Sequence, residues 1–139
     1  MSELEIAKGY FKKNDKNYYS EILNMENSVD IDNLIDCIHE FVKQTNKKDE
    51  GISSSQIRNV FNKAKQAKNT KDLKLMRPKL AYVLARQKNK GAKEMIALLD
   101  DVIKTTEIEN KQHLKNFQLF FESVVAYHRY EEELKELKK

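Results

Sequence analysis

Apolar residues recur along this chain at helical spacing, in stretches separated by short polar breaks. From Asp30 to Thr45, the positions Ile31, Leu34, Ile35, Ile38, Phe41 and Val42 follow the i, i+3, i+4, i+7 rule of a helix with one buried stripe. Asp30 and Asp32 suit the positive end of that helix's dipole. Asn46 to Gly51 then reads as a polar loop. The next helix carries the clearest start signal. Ser53-Ser-Ser-Gln56 matches a capping box, with Ser53 as N-cap and Gln56 at the third helical position. Ile52 and Ile57 occupy the staple positions, and Ile57, Val60, Phe61 and Ala64 form the stripe.

A third helical segment spans Lys71 to about Asn89, with Leu73, Met76, Leu80, Val83 and Leu84 on its apolar face. Pro78 falls inside it. An interior proline costs a helix about 3 kcal/mol, so a kink or a fresh helix start is expected there. Gly91 marks the next break. A fourth helix, from Ala92 to Thr105, buries Met95, Ile96, Leu99, Val102 and Ile103. A fifth runs from about Asn110 into the charged end of the chain. Its middle, Phe117 to Tyr127, is apolar on nearly every side, which marks a helix surrounded by others. Residues 1–28 show no long periodicity and read as an arm or short helix, pinned by Tyr10, Phe11, Tyr18 and Tyr19. Residues 131–139 read as a charged tail, solvated or frayed. The pattern predicts an all-α fold: a compact bundle of about five helices forming a single domain over 1–139.

Composition adds bounds. The chain has 139 residues, three Gly, one Pro and no Trp, a balance that favours helices around one core. Cys37 is the single cysteine, so no intrachain disulfide forms, which fits a reducing cytoplasm. The first residues lack the basic and apolar regions of a signal peptide, and no apolar run approaches a membrane span. A cytoplasmic protein with no membrane partner is expected.

Charge changes the picture more. Residues 51–93 hold twelve of the twenty-six Lys and Arg and a single acid, Asp72. The block carries +11 while the whole chain carries +4, so the remainder is acidic by seven. With one acid among twelve cations, neighbouring salt bridges do not neutralise the block. A folded, one-sided basic surface most often meets a polyanion. Arg58 and Lys65, seven apart, share a flank of the second helix. Lys79, Arg86 and Lys90 line up on the third, with Tyr82 beside them as a stacking ring, and Arg77 lies in the same block. These six cations are the candidate nucleic-acid contacts. A helix-turn-helix fits less well, because the break at 69–71 lacks a tight glycine turn.

Other chemistries find less support. His39, His113 and His128 lack the spacing of metal ligands, and Cys37 reads as an inert thiol within a helix. No His follows Arg58, Arg77, Arg86 or Arg129 at the four-to-six spacing of one helical, metal-independent ribonuclease family. Three isolated glycines make no phosphate loop. The acidic runs Asp100-Asp101 and Glu131-Glu132-Glu133 point their side chains in different directions. Neither an enzyme, a cofactor nor a metal is expected. Two readings remain: a nucleic-acid-binding protein, or a helical adaptor whose basic face docks an acidic protein partner.

Three patches, taken in order, separate these readings. Ser55-Gln-Ile-Arg58 opens a helix, Pro78-Lys-Leu-Ala-Tyr82 is followed by Arg86, and Phe121-Glu-Ser-Val-Val-Ala-Tyr-His128 closes the core. Over about residues 52–130 the trio resembles the small helical subunit of type III-A CRISPR effector (Csm) complexes. The resemblance implies a non-catalytic, all-helical subunit. Several copies would stack into a short filament beside the repeated backbone subunits, one end meeting the large signature subunit. The filament would help form the channel that holds the guide RNA–target RNA duplex in antiviral defence, with Lys and Arg on the phosphates. Arg58 and Arg86 fall on motif positions and are assigned to RNA. Ser123 stands where the family often has Ala, and Tyr127 and His128 are assigned structural roles.

Overall fold

Seven α-helices, one β-hairpin and a 3-10 helix make up the regular structure of residues 1–47 and 51–138, the part of the chain that the computed structural model describes. The all-α expectation holds. The N-terminal arm is more ordered than its lack of periodicity suggests. Helix α1 (Glu3–Gly9) starts at Ser2, whose hydroxyl accepts a hydrogen bond from the Glu5 amide. A short hairpin follows, β1 (Lys12–Lys13) against β2 (Lys16–Asn17). Its turn places Asn14 at φ 52° and Asp15 at φ 62°, a left-handed pair that Asn and Asp tolerate and hairpins favour. The 3-10 helix (Tyr19–Asn27) completes the arm. Phe11 and Tyr18 are buried, and the Phe11 ring lies 5.6 Å from Phe41 and 6.4 Å from Phe120. The aromatic pins therefore work as the sequence suggested.

Two polar contacts fix the 3-10 helix. Asn116, fully buried, accepts from the Glu26 amide at 2.7 Å. The Tyr19 hydroxyl donates to Asp101 at 2.6 Å. Burial first, and then this carboxylate, push the Tyr19 phenol far above its ordinary range. The folded chain keeps a proton that the unfolded chain releases near pH 10. The stabilisation is therefore complete below about pH 10 and fades above it. Tyr19→Phe is expected to cost about 1.5 kcal/mol at pH 7, as for a hydrogen bond to a charged group. Urea denaturation should show the gap from wild type shrinking above pH 10. An equal gap at pH 7 and pH 11 would contradict this.

Helix α2 (Ile31–Lys47) runs past its expected end, with Thr45 and Asn46 buried. Of the expected loop 46–51, residues 48–50 lie outside the described residues. Gly51 sits at φ +69°, and a Cβ there would come within 2.6 Å of the Asn46 side-chain oxygen. Helix α3 (Ser54–Gln66) begins as its capping sequence predicts, with Ser53 accepting from the Gln56 amide, and Ile52 and Ile57 buried.

The third segment divides into α4 (Thr70–Leu75) and α5 (Arg77–Arg86). Pro78 lies in the first turn of α5, where its missing N–H costs nothing, so it starts a helix rather than kinking one. The expected continuation to Asn89 fails because Asn89 is itself an N-cap. Its side-chain oxygen accepts from Ala92, which starts α6 (Lys90–Thr105). The break is thus at residues 87–89, and Gly91 lies buried in the first turn of α6.

Helix α7 (Lys111–Leu137) touches the 3-10 helix, α2, α3 and α4, while α6 touches α1, α2, α4 and α5. The two share the centre, where α7 alone was expected. The fully buried positions of α7, including Phe117, Phe120, Phe121, Val124 and His128, form one face, and Ala126 is exposed. The expected frayed tail is instead the last turns of this helix. Glu131 hydrogen-bonds His39 at 2.8 Å, and Lys135 donates to the Asn46 carbonyl at 3.1 Å. Partners in α2 that sequence spacing does not reveal hold it in place.

Candidate nucleic-acid interface

The site is built around α3, which side chains from other elements clamp at both ends. At its start, the Nε2–H of buried His128 donates to the Ile52 carbonyl at 2.9 Å, and the Asn89 amide donates to the Gly51 carbonyl at 2.9 Å. At its end, the Gln118 amide donates to the Ala64 and Ala67 carbonyls at 3.0 and 3.2 Å, capping groups that a helix terminus leaves open. Between the clamps, Phe61 packs edge-on against Phe121 of α7 at 5.3 Å. Helix α3 therefore rests on α7, and α5 rests on α6.

A cleft of about 300 Å³ remains open between α3 and α5. Val60, Met76, Leu80 and Val83 form its apolar floor. Polar groups rim it: Gln56, Asn59 and Lys63 from α3, with Lys79, Tyr82 and Arg86 from α5. Gln56, Asn59 and Lys63 are spaced i, i+3, i+7, so one face of α3 presents them all. The Arg86 guanidinium lies 5.5 Å from the centre of the Tyr82 ring and donates to its hydroxyl at 3.4 Å, a cation–π arrangement.

The six cations picked from sequence do not all meet here. Lys79 and Arg86 flank the cleft. Arg58 and Lys65 are exposed on the other flank of α3, where the Lys65 ammonium lies 5.9 Å from the Phe61 ring centre. Lys90 is exposed at the first position of α6 and does not continue the Lys79–Arg86 row, because the chain breaks between them. Arg77 is engaged internally. It grips Asp100 through two nitrogens, at 2.9 and 3.4 Å, and that bond raises its pKa further. Among the described residues this is the one ion pair that any cation of 51–93 makes. Lys74, which the sequence reading passed over, caps the end of α6 by donating to the Ile103 and Lys104 carbonyls at 3.3 and 3.0 Å. Burial first, and then Arg77, lower its pKa. Sequence reasoning also missed Lys63, Gln56 and Asn59. Their spacing is visible in the chain, but nothing in it says that α3 faces α5.

The histidines have structural work. His39 stacks flat on Tyr127 at 4.3 Å, and the Nδ1 of His113 accepts from the Glu107 amide. Among the described residues, no group of His, Cys, Asp and Glu is placed to hold a metal ion. Cys37 is buried, and burial raises its thiol pKa. No helix there is long and apolar enough to cross a membrane.

The family model described as Csm2 Type III-A matches residues 28–133, from the start of α2 almost to the end of α7. The chain belongs to this family. The Csm2 match covers α3 and α5 with their cleft and extends beyond the three patches to take in all of α2. Membership makes the chain a small, structural subunit of a type III-A CRISPR effector complex, associated with the other subunits of that complex. No curated protein and no solved structure matches it. Ser123 donates its hydroxyl to the Leu119 carbonyl one turn back, so its oxygen is satisfied within α7.

Proposed function

We propose that this Csm2-family chain is the non-catalytic RNA-binding small subunit of a cytoplasmic type III-A interference complex in antiviral defence. Copies stack along the backbone subunits towards the large signature subunit and line the channel for guide and target RNA. One observation carries the reading: exposed cations of α3 and α5, with no carboxylate partner among the described residues, surround one cleft in a chain of this family. Such cations bind phosphate without reading sequence, and base pairing with the guide supplies specificity. A single copy offers few contacts and binds weakly. Stacked copies raise the effective concentration and bind as a unit. The acidic remainder of the chain supports the stacking, since a basic face on one copy can meet an acidic face on the next.

Filter binding of a single-stranded RNA tests this. Replacing Arg58 and Arg86 together by alanine is expected to weaken binding and to make its salt slope shallower by about 1.4, two phosphate contacts at about 0.7 each. Arg77→Ala, which removes an internal ion pair, should leave the slope unchanged. Full binding by the double variant would overturn the assignment.

A further inference from the structure

The cleft between α3 and α5 has a feature that phosphate binding does not use. Its floor is apolar, and cations stand only at its rim. A phosphate gains nothing from Val60, Leu80 and Val83, whereas the flat face of a base does. Tyr82 lines the opening and is 63% exposed, a large aromatic left in water at the mouth of an apolar hollow. Gln56 and Asn59 add amides, which donate and accept and so suit the hydrogen-bonding edge of a base. Lys63, Lys79 and Arg86 lie around them, where the flanking phosphates would run. The volume, about 300 Å³, is at the small end of ligand sites and suits one nucleotide rather than a duplex.

We propose that the cleft receives a single unpaired base of an RNA strand, stacked against Tyr82 over the apolar floor, while the rim cations hold the adjoining phosphates. This rests on the reading of the chain as an RNA-binding subunit and adds a second mode to it. Rim contacts are blind to whether a base is paired. The cleft is not, because a paired base must first unpair and unstack, at a cost in free energy, before it can enter.

The test compares oligouridine with an abasic ribose–phosphate oligomer of the same length and charge. The wild-type chain is expected to bind oligouridine about tenfold more tightly, the size of one base–aromatic stack. Tyr82→Ala should erase that preference and Tyr82→Phe should retain it, with the same salt slope for both variants. Tyr82 is exposed, so neither change disturbs the core, and circular dichroism verifies the fold. Equal, salt-dependent binding of both oligomers would overturn the base pocket and leave the proposed function standing. Absence of binding to either RNA would overturn both. Polyglutamate competing as well as oligouridine would assign the cleft to an acidic protein and also overturn the proposal.

Discussion

Phe120→Ala is expected to lower stability by about 3–5 kcal/mol, the usual cost of removing a buried phenyl ring. Phe120 is fully buried, and its ring lies 6.4 Å from both Phe11 and Phe117. It thereby joins the N-terminal arm to the central helix, and both ring contacts are lost when its ring is removed. Domains of this size have only about 5–15 kcal/mol in total, so the loss is a large share of it. The melting temperature should fall by roughly 10–20 °C. Thermal melts followed by circular dichroism check this, with Ala126→Ser as the control. Ala126 is exposed on the same helix, and its replacement should stay within about 0.5 kcal/mol. A shift below about 5 °C for Phe120→Ala would mean that the arm does not pack against α7 as described.

The second large effect is on binding. Affinity of one copy for single-stranded RNA is expected to fall on the order of 100-fold between about 50 and 200 mM salt. Arg58, Lys63, Lys65, Lys79 and Arg86 are the five cations of α3 and α5 that form no bond to a carboxylate among the described residues, three of them at the cleft and two on the other flank of α3. Each neutralised phosphate contributes about −0.7 to the salt slope on a single strand, giving a slope near about −3.5. One base in the cleft adds affinity but no slope, because stacking releases no counterions. The two contributions are therefore separable in one titration series. A flat response would remove phosphate recognition and the proposed function with it.

These two predictions draw on different levels of the chain's information. The core was legible because burial in a helix repeats every three to four residues. Leu34, Ile38, Phe41, Phe117 and Val124, all within the expected apolar stretches, are buried. The start of α3 was legible because capping is local: Ser53 and Gln56 lie three residues apart. Pro78 announced a break in the same way. The hairpin at Asn14-Asp15 was harder to see, since its strands are two residues each and show no alternation.

What the sequence by itself determined is the helical class, the main buried stripes, the surplus of positive charge in residues 51–93 and, through three ordered patches, the family. All of these depend on neighbours within a few turns or on composition. The tertiary structure decided which cations are available and what lies between them. Arg77 and Lys74 look like Lys79 and Arg86 in the sequence, yet Asp100 and the end of α6 occupy them. Lys63, Gln56 and Asn59 become part of a site only because α3 rests on α7 and α5 on α6, which leaves a cleft between. The physical reason is range. Helix periodicity and caps are written within a few residues, whereas a charge is neutralised, or a cleft closed, by groups many residues away along the chain.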